Sequence, residues 1–260
     1  MTETDGPACY GVALGAVTTL CCDCDGELYR NELGGHTSAS LFAVSGRERQ
    51  IGEAAVSGQS ANAKNTVTMV GNMALTPHGQ LAASNRAAHI SVAHTAAEDG
   101  FANVTLEYGG EQREFPSVAL LGALLGKIRA TSGVREGAQL SISLPAAATG
   151  GEATTAHARL SDAASIGGWK LVAVPSAAEA LGAALVRKYP FKESDAGGEG
   201  KRLLVLDVGH TGTCAAILKV IPYALLCAIP TLRSLDCSAP IASRALTLLL
   251  HGRLPPTSPP

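Results

Sequence analysis

A chain of 260 residues with 46% hydrophobic content is long enough for one large domain or two modest ones, each with its own core. Aromatic residues make up only 4%, so that core must be assembled from Ala, Val, Leu and Ile. Lys and Arg total 20 against 22 Asp and Glu, and no stretch concentrates the basic ones, which argues against nucleic-acid binding, and DNA binding above all, through a basic face.

The acidic opening, "MTETDGPACYG", lacks the basic and apolar regions of a secretion signal. "CYGVALG", "TTLCCDC" and "GELYRN" then read as short strands of an antiparallel meander, with a tight turn at Asp25 and Gly26. "SLFAVS" is a further strand. From Gly52 to about Ser84 the chain is polar and alanine-rich and gives only weak helical signals. "AHISVAH" and "NVTLEY" alternate apolar and polar residues, as half-buried strands do.

Pro116 opens a helix in which Val118, Leu121, Leu125 and Ile128 line one face. Gly122 and Gly126 weaken it by roughly 1 kcal/mol each relative to alanine, so their expected use is close packing against a neighbour. "AQLSISLP" is a strand, "GEATTAHARLSDAASIGG" a helix and "WKLVAVP" another strand. Ser176 and Glu179 stand at capping-box spacing and open a helix that stops near Pro190. A polar linker follows, then the strand–turn–strand "LLVLDVGHTGTCAAILKV", a helix from Ile241 to His251 and a proline-rich tail. This order describes an α/β domain followed by the start of a second one.

The apolar runs "VALLGALLG" and "VIPYALLCAIPTL" fall short of the roughly 18 residues a membrane span requires, so no membrane partner is expected. Cysteines number 7, and without a secretion signal they read as reduced thiols in a cytoplasmic protein.

Three constellations could carry chemistry. The turn of Asp207, Gly209, His210, Thr211, Gly212 and Thr213 can converge backbone N–H groups on an anion, with glycine letting it approach. The competing reading is a hairpin with a surface aspartate and a solvent-exposed His210. Cys21 and Cys24 have the C-x-x-C spacing of a metal site, but no second pair follows, and buried thiols are the better account. Asp23 and Asp25 beside Gly26 suit a hairpin turn better than paired catalytic carboxylates. No G-x-S-x-G signature supports a Ser-His-Asp set.

In chain order, "YGVALGAVTTLCC", "RQIGEAAVSGQSANAKNTV", "SISLPAAAT", "VPSAAEALGAAL" and "LLVLDVGHTGTCAAIL" resemble segments of the nucleotide-binding domain of the heat-shock-70 chaperones, in the actin-like ATPase superfamily. The resemblance covers about residues 8 to 220 and implies an α/β, ribonuclease H-like nucleotide-binding lobe with a five-stranded mixed sheet. Lobe I would span 8–190, a linker 191–201, a partial second lobe 202–252 and a disordered tail 253–260. It also implies ATP or ADP as ligand, bound by Gly15, Thr18 and Thr19 of a first phosphate loop. Asp207, Gly209, His210, Thr211, Gly212 and Thr213 would form a second loop facing the first across one cleft. A J-domain co-chaperone and the ribosome are the partners it suggests.

The departures bear on catalysis. The family's metal-positioning aspartate is Ala13, and the threonines after its glycine are Ala16 and Val17. The lysine that helps orient the attacking water falls at Gly71, and the glutamate before the proline is Val174. In the second loop the threonine is Gly212 and the second aspartate Cys214. Phosphoryl transfer depends on metal, positioned water and fixed positive charge, and losing one such group costs orders of magnitude in rate. The expectation is a divergent, truncated relative: a non-catalytic co-chaperone or scaffold with weak nucleotide binding and no metal site. A working chaperone-type ATPase and an interaction protein that binds no nucleotide are the alternatives.

Overall fold

The computed structural model describes residues 9–83, 90–144, 153–189, 201–210, 213–221 and 224–229. The chain divides into two compact units, Met1–Ala180 and Leu181–Pro260.

The first unit is built on a five-stranded mixed sheet. β2 (Thr18–Cys22) runs antiparallel to both β1 (Cys9–Leu14) and β3 (Thr37–Ala39). β10 (Ala138–Ser143) lies parallel to β1 on its other side, and β11 (Trp169–Ala173) lies parallel to β10 at the edge. Parallel neighbours require a crossover, and α5 (Ala153–Ile166) is the helix between these two strands. The expected strand–helix–strand unit and five-stranded mixed sheet are therefore both present. In β10 the period-two pattern works as anticipated: Ala138, Leu140 and Ile142 are buried, while the residues between them are only partly so.

Two further sheets belong to this unit. β4 (Phe42–Ser45) sits between β5 (Glu48–Ile51) and β6 (Thr66–Val67). β8 (Ala102–Tyr108) sits between β7 (Ala93–Ala96) and β9 (Glu111–Pro116). Their hairpin tips meet where the Gly109 N–H donates to the Gly46 carbonyl at 2.7 Å. The segment with only weak helical signals forms α1 (Glu53–Val56), a 3-10 turn (Ala63–Asn65), α2 (Val70–Leu75) and α3 (His78–Ala83) around β6.

Two strand expectations need correction, and one strand is new. "GELYRN" makes only one bridge, Leu28 to Cys22. Its polar side chains build loops instead: Asp23 Oδ1 accepts from the N–H groups of Asp25 and Glu27, and Asn31 Oδ1 from those of Leu33 and Gly35. The strand expected over "AHISVAH" starts only at Ala93. β9 was not anticipated, because "EQREFP" has no apolar alternation; its backbone pairs with β8 while its side chains stay largely exposed.

α4 (Ser117–Thr131) begins just after Pro116 and buries Leu120, Leu121, Leu124, Leu125 and Ile128 in one cluster with Val12, Leu14, Leu140, Ile142 and Leu160. Its glycines do what was expected of them. A Cβ on Gly122 would lie 2.5 Å from Ile166 Cγ2, and one on Gly126 would lie 3.4 Å from the Gly167 Cα. α6 (Ala177–Lys188) opens with the expected capping box: Glu179 N–H donates to Ser176 Oγ at 3.2 Å, and Ser176 N–H to Glu179 Oε2 at 2.8 Å.

In the second unit β12 (Lys201–Val208), β13 (Thr213–Ile221) and β14 (Ala224–Ile229) form an antiparallel sheet in that order. Lys201, assigned to the linker on sequence, is the first residue of β12. Alternation along the strand buries Val205 and leaves Leu204, Leu206 and Val208 exposed. The rest of the linker, the helix expected at 241–251 and the tail at 253–260 lie outside the described residues. Among the described residues no helix is long and apolar enough to cross a membrane.

Candidate functional site

Leu14 pairs with Thr19 across the first hairpin, enclosing four residues, Gly15, Ala16, Val17 and Thr18, the last of which already opens β2. Gly15 is required there: a Cβ would sit 2.3 Å from the Thr18 carbonyl oxygen, which is backbone and cannot swing aside. Val17 and Thr18 are exposed at the loop. Thr19 is turned inward, with 1% exposure, and its hydroxyl lies 2.9 Å from Ser40 Oγ. The hydroxyl of Ser40 donates to the Gly15 carbonyl at 3.0 Å. A serine hydroxyl has one hydrogen to give, so in the shared contact Thr19 is the donor and Ser40 the acceptor. The Thr19 hydroxyl hydrogen is therefore engaged with Ser40 inside the loop.

The second hairpin repeats this plan. Asp207 pairs with Cys214 and Val208 with Thr213, again enclosing four residues, Gly209 to Gly212. Gly209 and His210 are exposed and Asp207 is half-buried. Thr211 and Gly212 lie outside the described residues, as does the side chain of Thr213. Each loop opens with a glycine after an apolar strand residue and closes on a threonine, Gly15 and Thr19 in one and Gly209 and Thr213 in the other.

The positions that the resemblance sets against the family's metal- and water-handling groups can also be located. Ala13 is exposed on β1, between Leu20 of β2 and Ser143 of β10. Gly71, on α2, is buried directly behind the first loop, where a Cβ would come within 3.0 to 3.2 Å of the Leu14 side-chain carbons. Val174, just before α6, packs against the main core. Cys214 stands across from Asp207. Gly71 thus packs on the side chain of Leu14, the strand residue between Ala13 and the first loop.

Sequence reasoning missed Ser40 and Met69. Ser40 is fully buried, its N–H donates to the Val17 carbonyl at 2.8 Å, and its own carbonyl accepts from Val70 at 3.2 Å. Met69, immediately before α2, has φ of 51°, the left-handed region that a non-glycine residue enters at a cost. Neither shows in apolar periodicity, since a serine between two strands and a methionine before a short helix carry no pattern of their own.

The cysteine constellation resolves differently. Cys21 is buried on β2, and burial pushes its thiol up to about 12. Cys24 is exposed in the turn beyond the strand, so the expectation of buried thiols holds for Cys21 and not for Cys24. Among the described residues no group of three or more His, Cys, Asp or Glu could hold a metal ion.

The family model described as "Hsp70 protein" matches residues 11–221. Heat shock protein 88 of Dictyostelium discoideum is 27% identical over 106 residues, which are 41% of this chain and 14% of that protein. The chain thus aligns with a small part of that relative's length. The family match runs from β1 through β13 and takes in both glycine-opened hairpins, and on that extent the chain belongs to the Hsp70 family, with the actin-like ATPase fold in its nucleotide-binding lobe.

Proposed function

We propose that this chain acts as a non-catalytic member of the Hsp70 family, a co-chaperone or scaffold in protein folding, and binds ATP or ADP weakly through the phosphates. One observation carries the reading: both hairpin loops keep the same length, opening glycine and closing threonine, while Ala13, Gly71, Val174 and Cys214 replace the groups that would handle metal and water. Gly15 with the N–H groups of its loop, Thr18, and the loop from Asp207 to Thr213 are the proposed phosphate contacts. His210, exposed within the second loop, is assigned to the same set of contacts. Such loops suit an anion because backbone N–H groups carry partial positive charge without a counter-charge to neutralise. Without acids at 13 and 214 to hold a hydrated cation, bound nucleotide would not be turned over. Family members usually work with J-domain co-chaperones, and we assign this chain such a partner, with the cytoplasm and the ribosome as its place of work.

Thermal-shift titration with ATP and ADP, with and without magnesium, tests binding. A rise in melting temperature with either nucleotide is expected, and no shift at millimolar nucleotide would defeat the phosphate-loop reading. Single-turnover hydrolysis tests catalysis. No product above background is expected; a rate that disappears in Asp207→Asn would show a working ATPase.

A further inference from the structure

We propose that Ser40 is the positioning residue of the first loop, holding it in the form that receives a phosphate; this rests on the phosphate-binding reading above. Ser40 lies between β3 and β4, outside the loop, yet its polar groups are committed to it and to α2. Its N–H donates to the Val17 carbonyl, its hydroxyl donates to the Gly15 carbonyl, and its Oγ accepts from Thr19. The Ser40 carbonyl accepts from Val70 at the start of α2. Both ends of the four-residue loop are therefore fastened to one buried side chain by a hydroxyl relay, Thr19 to Ser40 to Gly15.

The relay has a consequence for charge. A carbonyl oxygen repels a phosphate, and in a trans peptide the C=O and the following N–H point opposite ways. Drawing the Gly15 carbonyl toward Ser40 therefore turns the Ala16 N–H away from it, as an anion-binding loop needs. Fixing that orientation before the ligand arrives removes an ordering cost from binding. The same residue joins the loop to α2, whose first turn follows the left-handed Met69. With the hydroxyl gone, the Gly15 carbonyl would lose the partner that holds it inward and the peptide would be free to turn.

The test is isothermal titration of the full chain with ADP and with inorganic tripolyphosphate, well below the melting temperature, for wild type, Ser40→Ala, Ser40→Thr and Thr19→Val. Ser40→Ala is expected to bind both ligands about tenfold more weakly or worse. Ser40→Thr, which keeps the hydroxyl, should stay within about threefold of wild type. A residue with only a structural role would lower the melting temperature and leave the affinity of the folded protein unchanged. Wild-type binding with an unaltered Ser40→Ala affinity overturns the positioning role and leaves the proposed function standing. Absence of wild-type binding overturns the proposed function, and the positioning role falls with it. Should Ser40→Ala not fold, Thr19→Val decides: it removes the first hydrogen of the relay while keeping side-chain shape. A loss of about threefold or more supports the role, and wild-type affinity overturns it.

Discussion

Arg159 shows how much one side chain can join. It is 7% exposed, and its Nε donates to the Ala74 carbonyl at 2.7 Å, while Nη2 reaches Ser117 Oγ at 3.1 Å. Nη1 pairs with Asp99, and the guanidinium sits 3.9 Å over the Phe101 ring. Burial pulls its pKa down against the opposing charge of Asp99, so the pair is retained by geometry, with donors matched to acceptors. Arg159→Ala should destabilise the fold by roughly 2 to 4 kcal/mol, because Ser117 and the Ala74 carbonyl are left buried without a partner; urea unfolding measures it, and a loss well under about 1 kcal/mol would contradict this account. The cysteines give a second prediction at this scale. With its thiol pushed up to about 12, Cys21 stays protonated near neutrality, so alkylation with iodoacetamide at mildly alkaline pH should label the exposed Cys24 well before Cys21. Peptide mass spectrometry over time reads the order, and equal rates would sink the claim. Asn65, in the "NTV" word that supported the family resemblance, acts as a latch here. It exchanges two hydrogen bonds with the Glu107 backbone and donates to the Val44 carbonyl, so it ties two sheets together. The sequence marked the word, but nothing local in it pointed to Val44 or Glu107.

At the scale of elements, the α4–α5 contact depends on missing side chains. Gly122 lets Ile166 approach so closely that a Cβ would meet it at 2.5 to 2.6 Å, with the Ala163 carbonyl 3.1 Å away. Alanine would be the better helix former by about 1 kcal/mol, yet Gly122→Ala should destabilise by about 1 to 3 kcal/mol because overpacking wins. A rise in the urea midpoint would show that propensity governs instead. The contact between α3 and β7 carries a pH dependence. His78 and His94 meet edge to face with ring centroids 5.1 Å apart, and His78 Nε2 and His94 Nδ1 are buried with no hydrogen-bond partner among the described residues. Burial, then the neighbouring His78, holds the His94 pKa below its ordinary value. The unfolded chain therefore binds the proton more readily than the folded one. Stability is full above the ordinary histidine pKa, about 6.5, and falls as pH drops from there through the lowered value, after which it levels. Urea midpoints measured between pH 8 and pH 5 should show that slope, and His94→Gln should flatten it; an unchanged slope would mean other groups are responsible.

For the whole molecule, the expectation concerns ligand choice. If the phosphates supply the contacts and nothing described in the chain reads the base, ATP and GTP should bind alike, and both should weaken as salt is raised. Competition titrations at two ionic strengths test this. A preference for ATP above about tenfold, roughly 1.4 kcal/mol, would require a base pocket that the two loops do not provide.

Much of the architecture was legible because it follows from short-range chemistry. The Ser176–Glu179 capping box, the apolar face of α4, the glycines at Gly122 and Gly126 and the alternation of β10 each rest on a period or a local hydrogen bond that the chain carries by itself. The order of those words also carried the family. What the sequence left open depends on partners far away in the chain. β9 pairs because β8 offers a ladder, whatever its own side chains prefer, and "GELYRN" loses its strand to the loops of Asp23 and Asn31. At the candidate site the sequence supplied the glycine and the threonines, but their roles were set by tertiary contact. Thr19 faces inward because Ser40, brought in from the β3–β4 connection, takes its hydroxyl, and Gly71 stands behind the loop only once α2 has packed on Leu14. Periodicity and capping are determined within a few residues; which hydroxyl faces a ligand is decided by what packs behind it.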